Sequence, residues 1–236
     1  DWKVRDGDAV KVGDVLGTVE GKAWSVLLGE RLALNFMQRM SGVATLTRRM
    51  KEKLGDGPEA TKILDTRKTV PGLRVLDKWA VLIGGGTCHR IGLFDMMMIK
   101  DNHIAAAGGI VAALRRADAF LKRKNFVVPV EIEVETLDQV DTVMNYLREN
   151  PQTSLTRVML DNMVKKVEGG KGYDTDLLVE SVKRIAGKLE TEASGNINLQ
   201  SVEAVGKTRV QFISSGALTH SVKALDISLK VKTRVC

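Results

Sequence analysis

Short apolar runs alternate with longer amphipathic stretches along the chain after residue 54. Apolar runs that are spaced in this way by helical stretches are typical of strands in parallel βα units. The strand candidates are 61–65, 95–100, 127–134, 157–161, 189–193 and 209–214, and the helix candidates are 72–83, 109–124, 136–149, 174–188 and 197–206. The pattern therefore predicts an α/β fold built on a parallel sheet.

The first 54 residues follow a different pattern. Residues 1–29 are short apolar pieces separated by Gly and Asp, which predicts hairpins. Residues 30–54 have apolar positions at helical spacing, with a bend expected at Ser41–Gly42. A last strand candidate, 224–231, is predicted to return to the N-terminal hairpins.

Each strand candidate ends in charged or small polar residues, directly after positions that should be buried. These ends are Asp65–Lys68, Lys100–His103, Glu133, Asp161–Asn162, Glu192–Gly195 and Ser214–Gly216. In a parallel barrel all such ends lie on one face, whereas an open sheet brings together only those near its switch point. We therefore predict an incomplete α/β barrel of six or seven strands. The run MMMI at 96–99 is then barrel lining, and Lys100 begins the barrel mouth.

Composition narrows the class of protein. The chain has 236 residues, 44% of them hydrophobic, and a formal net charge of +7. Aromatic residues are only 4% and the basic residues are scattered, so we expect no nucleic-acid partner. No apolar run has the length of a membrane helix, and we expect no membrane partner. The two cysteines, Cys88 and Cys236, form no CxxC motif, which favours a reducing compartment.

The chain starts at Asp1 without a methionine. We therefore expect a further N-terminal segment, with or without a targeting peptide, to precede it. We expect no targeting peptide within residues 1–236, and we predict a location in the cytoplasm or the plastid stroma.

Cationic side chains are the first candidate chemistry at the predicted mouth. They are Arg67, Lys68, His89, Arg90 and Lys100. Several cations in one cavity repel each other unless anions neutralise them, so this set predicts a substrate with carboxylates or phosphates. The three histidines lack metalloenzyme spacing, which argues against a zinc site.

Acids and small residues complete the predicted mouth. Glu133 and Asp161 could hold Mg²⁺, contact sugar hydroxyls or balance a developing positive charge, or they could simply neutralise the nearby cations. Ser194–Gly195–Asn196 precedes a helix candidate, and Gly216 follows the last strand candidate. Small residues let backbone N–H groups approach a ligand, so these two ends are a candidate phosphate site or ordinary helix caps.

Several motifs together resemble the quinolinate phosphoribosyltransferase family. They are ILDTRKTVPGLRVLDKWAVLIGGGTCHR, MIKDNHI, EIEVE, MLDN, EASGNI and SGALTHSVKALDISLK. The match runs in order from about residue 20 to residue 230, and the sequence within it is most similar to that of plant or algal members. One departure is Cys88, which stands where many members have Asn before His-Arg.

The resemblance implies a domain organisation, an activity, a cofactor and an assembly. The implied organisation is a small α/β sandwich domain of 1–54 and 217–236 beside an α/β-barrel catalytic domain of 55–216. The activity is transfer of phosphoribosyl from phosphoribosyl pyrophosphate to quinolinate with decarboxylation, giving nicotinate mononucleotide, pyrophosphate and CO₂ in de novo NAD biosynthesis. The implied cofactor is Mg²⁺, held directly or through water by Glu133 and Asp161. The implied assembly is a homodimer with shared active sites, or a hexamer built from such dimers.

The resemblance also implies a role for each site residue. Lys100, Glu133 and Asp161 are the implied catalytic residues, and all three also contact substrate. The implied substrate-binding residues are Arg31 from the partner subunit, Arg67, Lys68, His89, Arg90, Ser194, Gly195, Gly216 and His220. Arg67, His89 and Arg90 would bind the quinolinate carboxylates, and Ser194, Gly195 and Gly216 the 5′-phosphate.

Three other interpretations remain open from the sequence. A related phosphoribosyltransferase could act on another base without decarboxylation. A barrel lyase could form a Schiff base at Lys100, although that leaves the cationic set unexplained. A carrier hairpin could present Lys22 for lipoyl or biotinyl attachment, but a long helix candidate follows Lys22 where a carrier domain would continue its sandwich.

Overall fold

The computed structural model describes residues 1–57, 59–169 and 172–232. Its strands are β1 (Lys62–Leu64), β2 (Met97–Ile99), β3 (Val130–Val134), β4 (Leu155–Asp161), β5 (Lys165–Lys166), β6 (Tyr173–Asp174), β7 (Glu190–Ser194) and β8 (Phe212–Ser214). Its helices are α1 (Ala23–Leu54), α2 (Arg74–Ile83), α3 (Asp101–Ala107), α4 (Ile110–Lys124), α5 (Leu137–Glu149), α6 (Asp176–Ile185), α7 (Val202–Gly206) and α8 (Ala217–His220). None of these described helices is both long and apolar enough to span a membrane.

The main sheet curls into a barrel that is open on one side. Its six strands are all parallel and run in the order β1-β8-β7-β4-β3-β2. The last strand, β8, therefore pairs with the first, β1, and the rest follow in chain order. Thr87 adds a parallel bridge to Leu64 on the other edge of β1. The prediction of an incomplete barrel of six or seven strands is confirmed.

The strands separate two different environments. Partners in a parallel register point to the same face, and successive residues point to opposite faces. Val130, Ile132 and Val134 belong to the apolar cluster that includes residues of the surrounding helices. Glu131 and Glu133 alternate with them and point into the barrel.

This alternation corrects the interpretation of the run 96–99 as barrel lining. Met98 is in register with Glu131 and shares its inward face. Met97 and Ile99 pair with Val130 and Ile132 and lie on the outer, apolar side. Only every second residue of a strand can line the interior, so an unbroken apolar run serves both faces.

The terminal segments differ from the sequence prediction. Helix α1 begins at Ala23, seven residues before the predicted start at residue 30, and is continuous through Ser41–Gly42. The predicted hairpins of residues 1–29 are reduced to one antiparallel bridge between Trp2 and Gly17. Where the apolar pattern is weak and Gly and Asp are frequent, turns form without a ladder.

The C-terminal strand candidate 224–231 is also wrong for the described residues. The segment crosses α1, where the Leu225 N–H donates to the Gln38 carbonyl at 3.1 Å and the Gln38 amide donates to the Ile227 carbonyl at 3.0 Å. A Cβ at Gly42 would lie 2.5 Å from the Lys223 carbonyl oxygen, so glycine is required for this crossing. Residues 233–236, including Cys236, lie outside the described part.

Candidate active site

Lys100 and Glu133 form an ion pair at the carboxyl ends of β2 and β3. Glu133 is buried, whereas the Lys100 side chain is 42% exposed. Lys100 caps α3, and its backbone N–H donates to Nδ1 of His103 at 2.9 Å, which fixes the chain as it leaves β2. The pair therefore presents one charge of each sign at the barrel mouth.

Asp161 lies beside this pair at the end of β4. It is in register with Ser194, and Asn162 donates to its Oδ2 at 2.6 Å. The pKa of Asp161 is raised from its usual value, first by burial and then by the negative charge of Glu133, against a lowering by Lys100. The structure thus brings together the three residues that were assigned catalysis, and Ser194 joins them.

Gly195 follows β7 at the same edge and has a φ of 92°, in the left-handed region. A Cβ there would lie 2.6 Å from the backbone nitrogen of Asn162, so a side chain is excluded. The predicted helix 197–206 is wrong in its start, because α7 begins only at Val202. No helix N-terminus therefore adjoins Gly195, and any anion there would rely on loop N–H groups and side chains.

Lys68, Gly216 and His220 form a second group at the mouth. A Cβ at Gly216 would lie 2.9 Å from Cδ of Lys68 and 2.9 Å from Cδ2 of His220. Gly216 immediately precedes α8, and the exposed His220 is the last residue of that helix. The glycine thus leaves room between a lysine and a histidine, which suits an anionic ligand.

A buried bridge holds this second group in place. Arg39 of α1 makes two hydrogen bonds to Asp77 of α2, at 2.9 and 2.8 Å, and a third to the Thr219 carbonyl at 2.8 Å. The Thr219 hydroxyl donates to the Lys68 carbonyl at 2.7 Å, and Asp77 also accepts from the Val70 N–H at 3.1 Å. These contacts link α1 to both loops of the group, a role that the sequence did not reveal.

His89 points into the barrel, not outward at the mouth. Its Nε2 lies 3.0 Å from Oε2 of Glu131 and 3.1 Å from Oε2 of Glu192. Both glutamates are fully buried, and Arg157 of β4 donates to the same Glu192 oxygen at 3.1 Å. Arg157 also stacks over the Phe212 ring, with its guanidinium carbon 3.9 Å from the ring centroid. The barrel interior is therefore ionic.

Burial and charge act in opposite directions on this interior cluster. Burial alone would lower the pKa of His89, but the adjoining carboxylates of Glu131 and Glu192 outweigh it and raise the pKa to about 9. The pKa of Glu131 is raised to about 7, first by burial and then by repulsion from Glu192. Burial also opposes ionisation of Glu192, yet His89 and Arg157 hold its pKa below the usual value.

Arg90 spans the open side of the barrel. Its guanidinium donates to the Met96 carbonyl at 3.2 Å and to the Met98 sulfur at 3.5 Å, so it connects the segment after Thr87 to β2. The pKa of Arg90 is lowered from its usual value, first by burial and next by the positive charge of Arg67. Arg67 itself is exposed, and these two cations lie close enough to repel each other.

A buried ion pair positions the His89 loop. Lys78 donates to Oδ1 of Asp65 at 2.7 Å, and the His89 N–H donates to the same oxygen at 2.9 Å. Lys78 also contacts the Cys88 sulfur at 3.5 Å. Cys88 therefore packs beside this ion pair, and the departure from Asn at that position leaves the loop anchored through Asp65.

Arg31 is the one proposed substrate residue that lies apart from the others. It is exposed on α1. Within the described residues it makes no hydrogen bond or ion pair.

Sequence reasoning missed Glu131, Glu192, Arg157, Asp65 and Lys78 as one buried system. Glu192 was recognised only as part of a polar strand end and Glu131 only as a strand residue. The signal was that a polar residue at every second position breaks an otherwise apolar strand. The separation of these residues in the chain hides their proximity. The described cluster His89–Glu131–Glu192 has its ligand atoms within 4.8 Å of one another, which the histidine spacing did not indicate.

Two family models match the sequence over almost the whole chain. The model for the quinolinate phosphoribosyl transferase C-terminal domain matches residues 43–230, and the model for the N-terminal domain matches residues 1–41. The chain belongs to the quinolinate phosphoribosyltransferase family. The resemblance carried by the sequence motifs is confirmed.

Individual members of the family show the same relationship. The chain is 55% identical, over its full length, to the chloroplastic nicotinate-nucleotide pyrophosphorylase (carboxylating) of Arabidopsis thaliana, of which it spans 66%. It is 53% identical to the mitochondrial quinolinate phosphoribosyltransferase (decarboxylating) 2b of Nicotiana tabacum, of which it spans 65%. The chain thus covers just under two thirds of these plant quinolinate phosphoribosyltransferases.

A solved structure supports the fold. The crystal structure of nicotinate-nucleotide pyrophosphorylase from Ehrlichia chaffeensis superposes with a TM-score of 0.84 at 35% identity, covering 98% of this chain and 76% of that one. The α/β barrel with a smaller accompanying domain is therefore the fold of this family member. The domain limits 1–54 with 217–236 and 55–216 stay a prediction.

Proposed function

We propose that the chain transfers phosphoribosyl from phosphoribosyl pyrophosphate to quinolinate with loss of CO₂, forming nicotinate mononucleotide and pyrophosphate. Family membership supports this proposal. The observation that carries it is the cluster of Lys100, Glu133 and Asp161 at the carboxyl edge of the barrel, with cations on both sides. This arrangement suits a reaction in which an anionic leaving group departs from a carbon that becomes positive.

Quinolinate carries two carboxylates, and the cationic residues are suited to receive them. Arg67 and Arg90 lie close enough that the charge of Arg67 lowers the pKa of Arg90, after the larger effect of burial. A dianion between them would relieve this repulsion and form charge-assisted hydrogen bonds. We assign Arg67, Arg90 and His89 to the quinolinate carboxylates.

The acids act on the ribose. As pyrophosphate leaves, the bond from ribose C1 to oxygen breaks with both electrons on the oxygen, and C1 becomes electron-poor. Glu133 and Asp161 would stabilise that positive charge, while Lys100 and Lys68 would stabilise the departing anion. Gly195 and Gly216 leave space for the 5′-phosphate, with Ser194 and His220 beside them.

Decarboxylation follows from the new bond to the pyridine nitrogen. Once that nitrogen carries ribose it is positive, and the ring accepts the electron pair of the bond between C2 and the carboxylate as CO₂ departs. A proton then replaces the carboxylate at C2. The residues that hold the remaining carboxylate keep the ring oriented, and a water-poor barrel interior favours loss of the charged group.

We further propose that Mg²⁺ takes part through Glu133, Asp161 or both. Carboxylate oxygens are ligands that Mg²⁺ accepts, and it commonly uses one or two of them together with water and substrate phosphates. Glu133 is already paired with Lys100, so the donor set fits an ion held mainly by pyrophosphate oxygens. When bound, Mg²⁺ would neutralise charge on the leaving group.

The assembly proposed is a homodimer with shared sites, or a hexamer of such dimers. The exposed position of Arg31 on α1 supports its donation to a neighbouring subunit's mouth. Mixing inactive Arg31→Ala and Lys100→Ala subunits should restore up to about half of wild-type activity per heterodimer, because one of its two sites then lacks neither residue. Subunit exchange without any recovered activity would show that Arg31 serves its own chain or none.

The compartment proposed is the cytoplasm or the plastid stroma. Relatives are named chloroplastic in one case and mitochondrial in another, so a plastid is one of the two organelles represented among them. Imaging a fluorescent fusion of the full-length protein checks this assignment.

The deciding experiment incubates the protein with quinolinate, phosphoribosyl pyrophosphate and Mg²⁺ and measures nicotinate mononucleotide and CO₂. Reactions that omit one component are the controls. Nicotinate is the matched substrate control, because a site built for two carboxylates keeps unpaired charges when one is missing and should discriminate by about 10⁴-fold. A nucleotide product from another base without CO₂ would favour the related transferase.

The Schiff-base alternative has its own test. Borohydride reduction with a carbonyl substrate would attach that substrate covalently to Lys100 if this lysine formed an imine. The amine of Lys100 is engaged in an ion pair with Glu133, so we expect no adduct by mass spectrometry. The same mass measurement checks that Lys22 carries no lipoyl or biotinyl group.

A further inference from the structure

His89 is assigned to a quinolinate carboxylate, but Glu131 and Glu192, which face it below the mouth, have no role in the reaction as described so far. The imidazole Nε2 is within 3.1 Å of one oxygen from each glutamate. Nε2 of His89, both oxygens of Glu131 and Oε1 of Glu192 are buried and make no hydrogen bond among the described residues, so the contacts at Nε2 are ionic. Two acids are thus withdrawn from water and share one imidazole nitrogen.

Charge balance accounts for such an arrangement. Uncompensated carboxylates in a protein interior are costly, so each needs a cation or must take up a proton. Arg157 donates to Glu192, and Arg90 interacts electrostatically with both glutamates. The Nε2 position facing both acids makes His89 the nearest further source of positive charge. Asp65, bound to the His89 backbone N–H, is already paired with Lys78.

We propose that Glu131 and Glu192 are positioning residues that keep the His89 ring positively charged and fixed through Nε2, so that Nδ1 donates to a carboxylate of quinolinate. This inference rests on the proposed function. Within the described residues Nδ1 of His89 makes no hydrogen bond, so its N–H is unused in a side chain that is 4% exposed. The two glutamates would then act on substrate affinity without touching the substrate.

The charge of His89 has a direct consequence for binding. A histidine in water has a pKa near about 6.5 and is mostly neutral at pH 8. The raised pKa of about 9 for His89 keeps the ring cationic there. A cationic Nδ1–H forms a stronger hydrogen bond to a carboxylate than a neutral one does. The buried acids thus extend quinolinate binding to alkaline pH.

A metal ion is the competing explanation for the same three residues. Their ligand atoms lie within 4.8 Å of one another, which is close enough for one ion. However, His89 and Arg157 already supply two positive charges against the two buried glutamates. The cluster is therefore balanced without an ion, and a charged imidazole explains it more simply.

The test measures the protonation of His89 by NMR with ¹⁵N-labelled histidine. The chain has three histidines, so single-histidine substitutions assign the signals. We expect a His89 pKa of about 9 in the wild type, as the two carboxylates require. In Glu131→Gln, which keeps the shape and removes one charge, we expect the pKa to fall to between about 7 and 7.5.

Quinolinate binding is measured by calorimetry on the same proteins. If Nδ1–H must be cationic, the charged fraction at pH 8 falls in Glu131→Gln, and Kd should rise by about four- to tenfold. At pH 6 the ring is charged in both proteins, so Kd should return to within about twofold of wild type. A purely structural role would weaken binding equally at both pH values.

Glu190→Gln is the matched control. Glu190 also pairs with Arg157, at 2.9 Å, but it makes no contact with His89 among the described interactions. We expect it to leave both the His89 titration and the pH dependence of quinolinate binding unchanged.

Three results would overturn the inference. The first is a wild-type His89 pKa below about 7, which stands even if Glu131→Gln does not fold. The second is an unchanged His89 titration, or an equal loss of binding at both pH values, in Glu131→Gln. The third is one equivalent of a transition metal in the wild type by elemental analysis, lost in Glu131→Gln. Absence of quinolinate binding in the wild type would reject the proposed function, while the NMR titration would still decide the charge of His89.

Discussion

Strand β3 presents two faces whose chemistry differs although they belong to the same five residues. On the outer face, Val130, Ile132 and Val134 are buried against the apolar cluster under the helices. On the inner face, Glu131 and Glu133 are buried among charges, opposite His89 and Lys100. All five residues are excluded from water, but burial is favoured by the hydrophobic effect only for the three outer, apolar side chains.

The comparison shows where stability and function reside in this barrel. Apolar burial on the outer face favours folding by about 1.5–3 kcal/mol for a large side chain. Charged groups on the inner face must be desolvated, and their attraction only partly offsets that cost. Apolar burial on the outer face therefore stabilises the barrel. Desolvation of the charged groups on the inner face offsets part of that stability. Substitutions on the two faces should affect different measurements.

Lys100→Ala should have the largest effect, and it should appear mainly in activity. Loss of a preorganised charge at the reacting centre lowers kcat/KM by about 10²–10³-fold. Thermal stability should fall as well but by less, because the Lys100 side chain is 42% exposed while the buried Glu133 loses its partner. Steady-state kinetics and calorimetry on the same preparation provide the measurement. Retention of more than half the activity would remove Lys100 from the catalytic residues.

Ile132→Ala should show the opposite behaviour. Ile132 is fully buried on the outer face, and its truncation should lower the free energy of unfolding by about 2–5 kcal/mol. Ile132→Val, which removes one methyl group, should cost about 0.5–1.5 kcal/mol. Where the protein remains folded, kcat/KM should stay within about threefold of wild type. A large kinetic defect in a folded Ile132→Val protein would contradict the separation of the two faces.

His89 should link the inner face to stability through pH. Its folded pKa, about 9, is above the unfolded value, so its contribution is complete below about pH 6.5 and is lost as the pH rises through 9. The shift corresponds to about 3 kcal/mol. Urea unfolding at a series of pH values should show this decline in the wild type and not in His89→Asn. The exposed His103→Asn should keep the decline, and its loss there too would assign the effect to another group.

Arg39→Ala should have the smallest of these effects and should affect both measurements. Asp77 is fully buried and would lose one charged partner but keep the Val70 N–H, at about 1.5–3 kcal/mol in all. Because the bridge also holds the loops of Lys68 and Gly216, KM for phosphoribosyl pyrophosphate should rise more than kcat falls. Lys207→Ala, which removes an exposed ion pair on the surface, is the control and should leave the melting temperature unchanged.

The parallel barrel was predictable because local periodicity encodes it. Each predicted core strand overlaps an observed one, and the polar strand ends identified Lys100, Glu133 and Asp161 together. Parallel strands bring their carboxyl ends to one edge, so adjacency at the mouth follows from topology alone.

The interior cluster was not predictable in the same way. His89, Glu131 and Glu192 meet only because strand register and the inward turn of the His89 loop place them at one level. Tertiary packing also determines the conformation of the terminal segments. The residues around 224–231 pack across α1 at Gly42, where a carbonyl needs space that a side chain would fill, and this overrides their apolar alternation.

Helix α1 has a consequence for protein engineering. The segments that match the N-terminal and C-terminal family models, 1–41 and 43–230, meet inside this single helix, at the turn where residues 223–227 cross it. A chimera joined at that boundary would need an unbroken helical register, with Gln38 and Gly42 from one parent facing a compatible tail from the other. In this protein, exchangeable modules must therefore be cut outside α1 and transferred with the tail that packs on it.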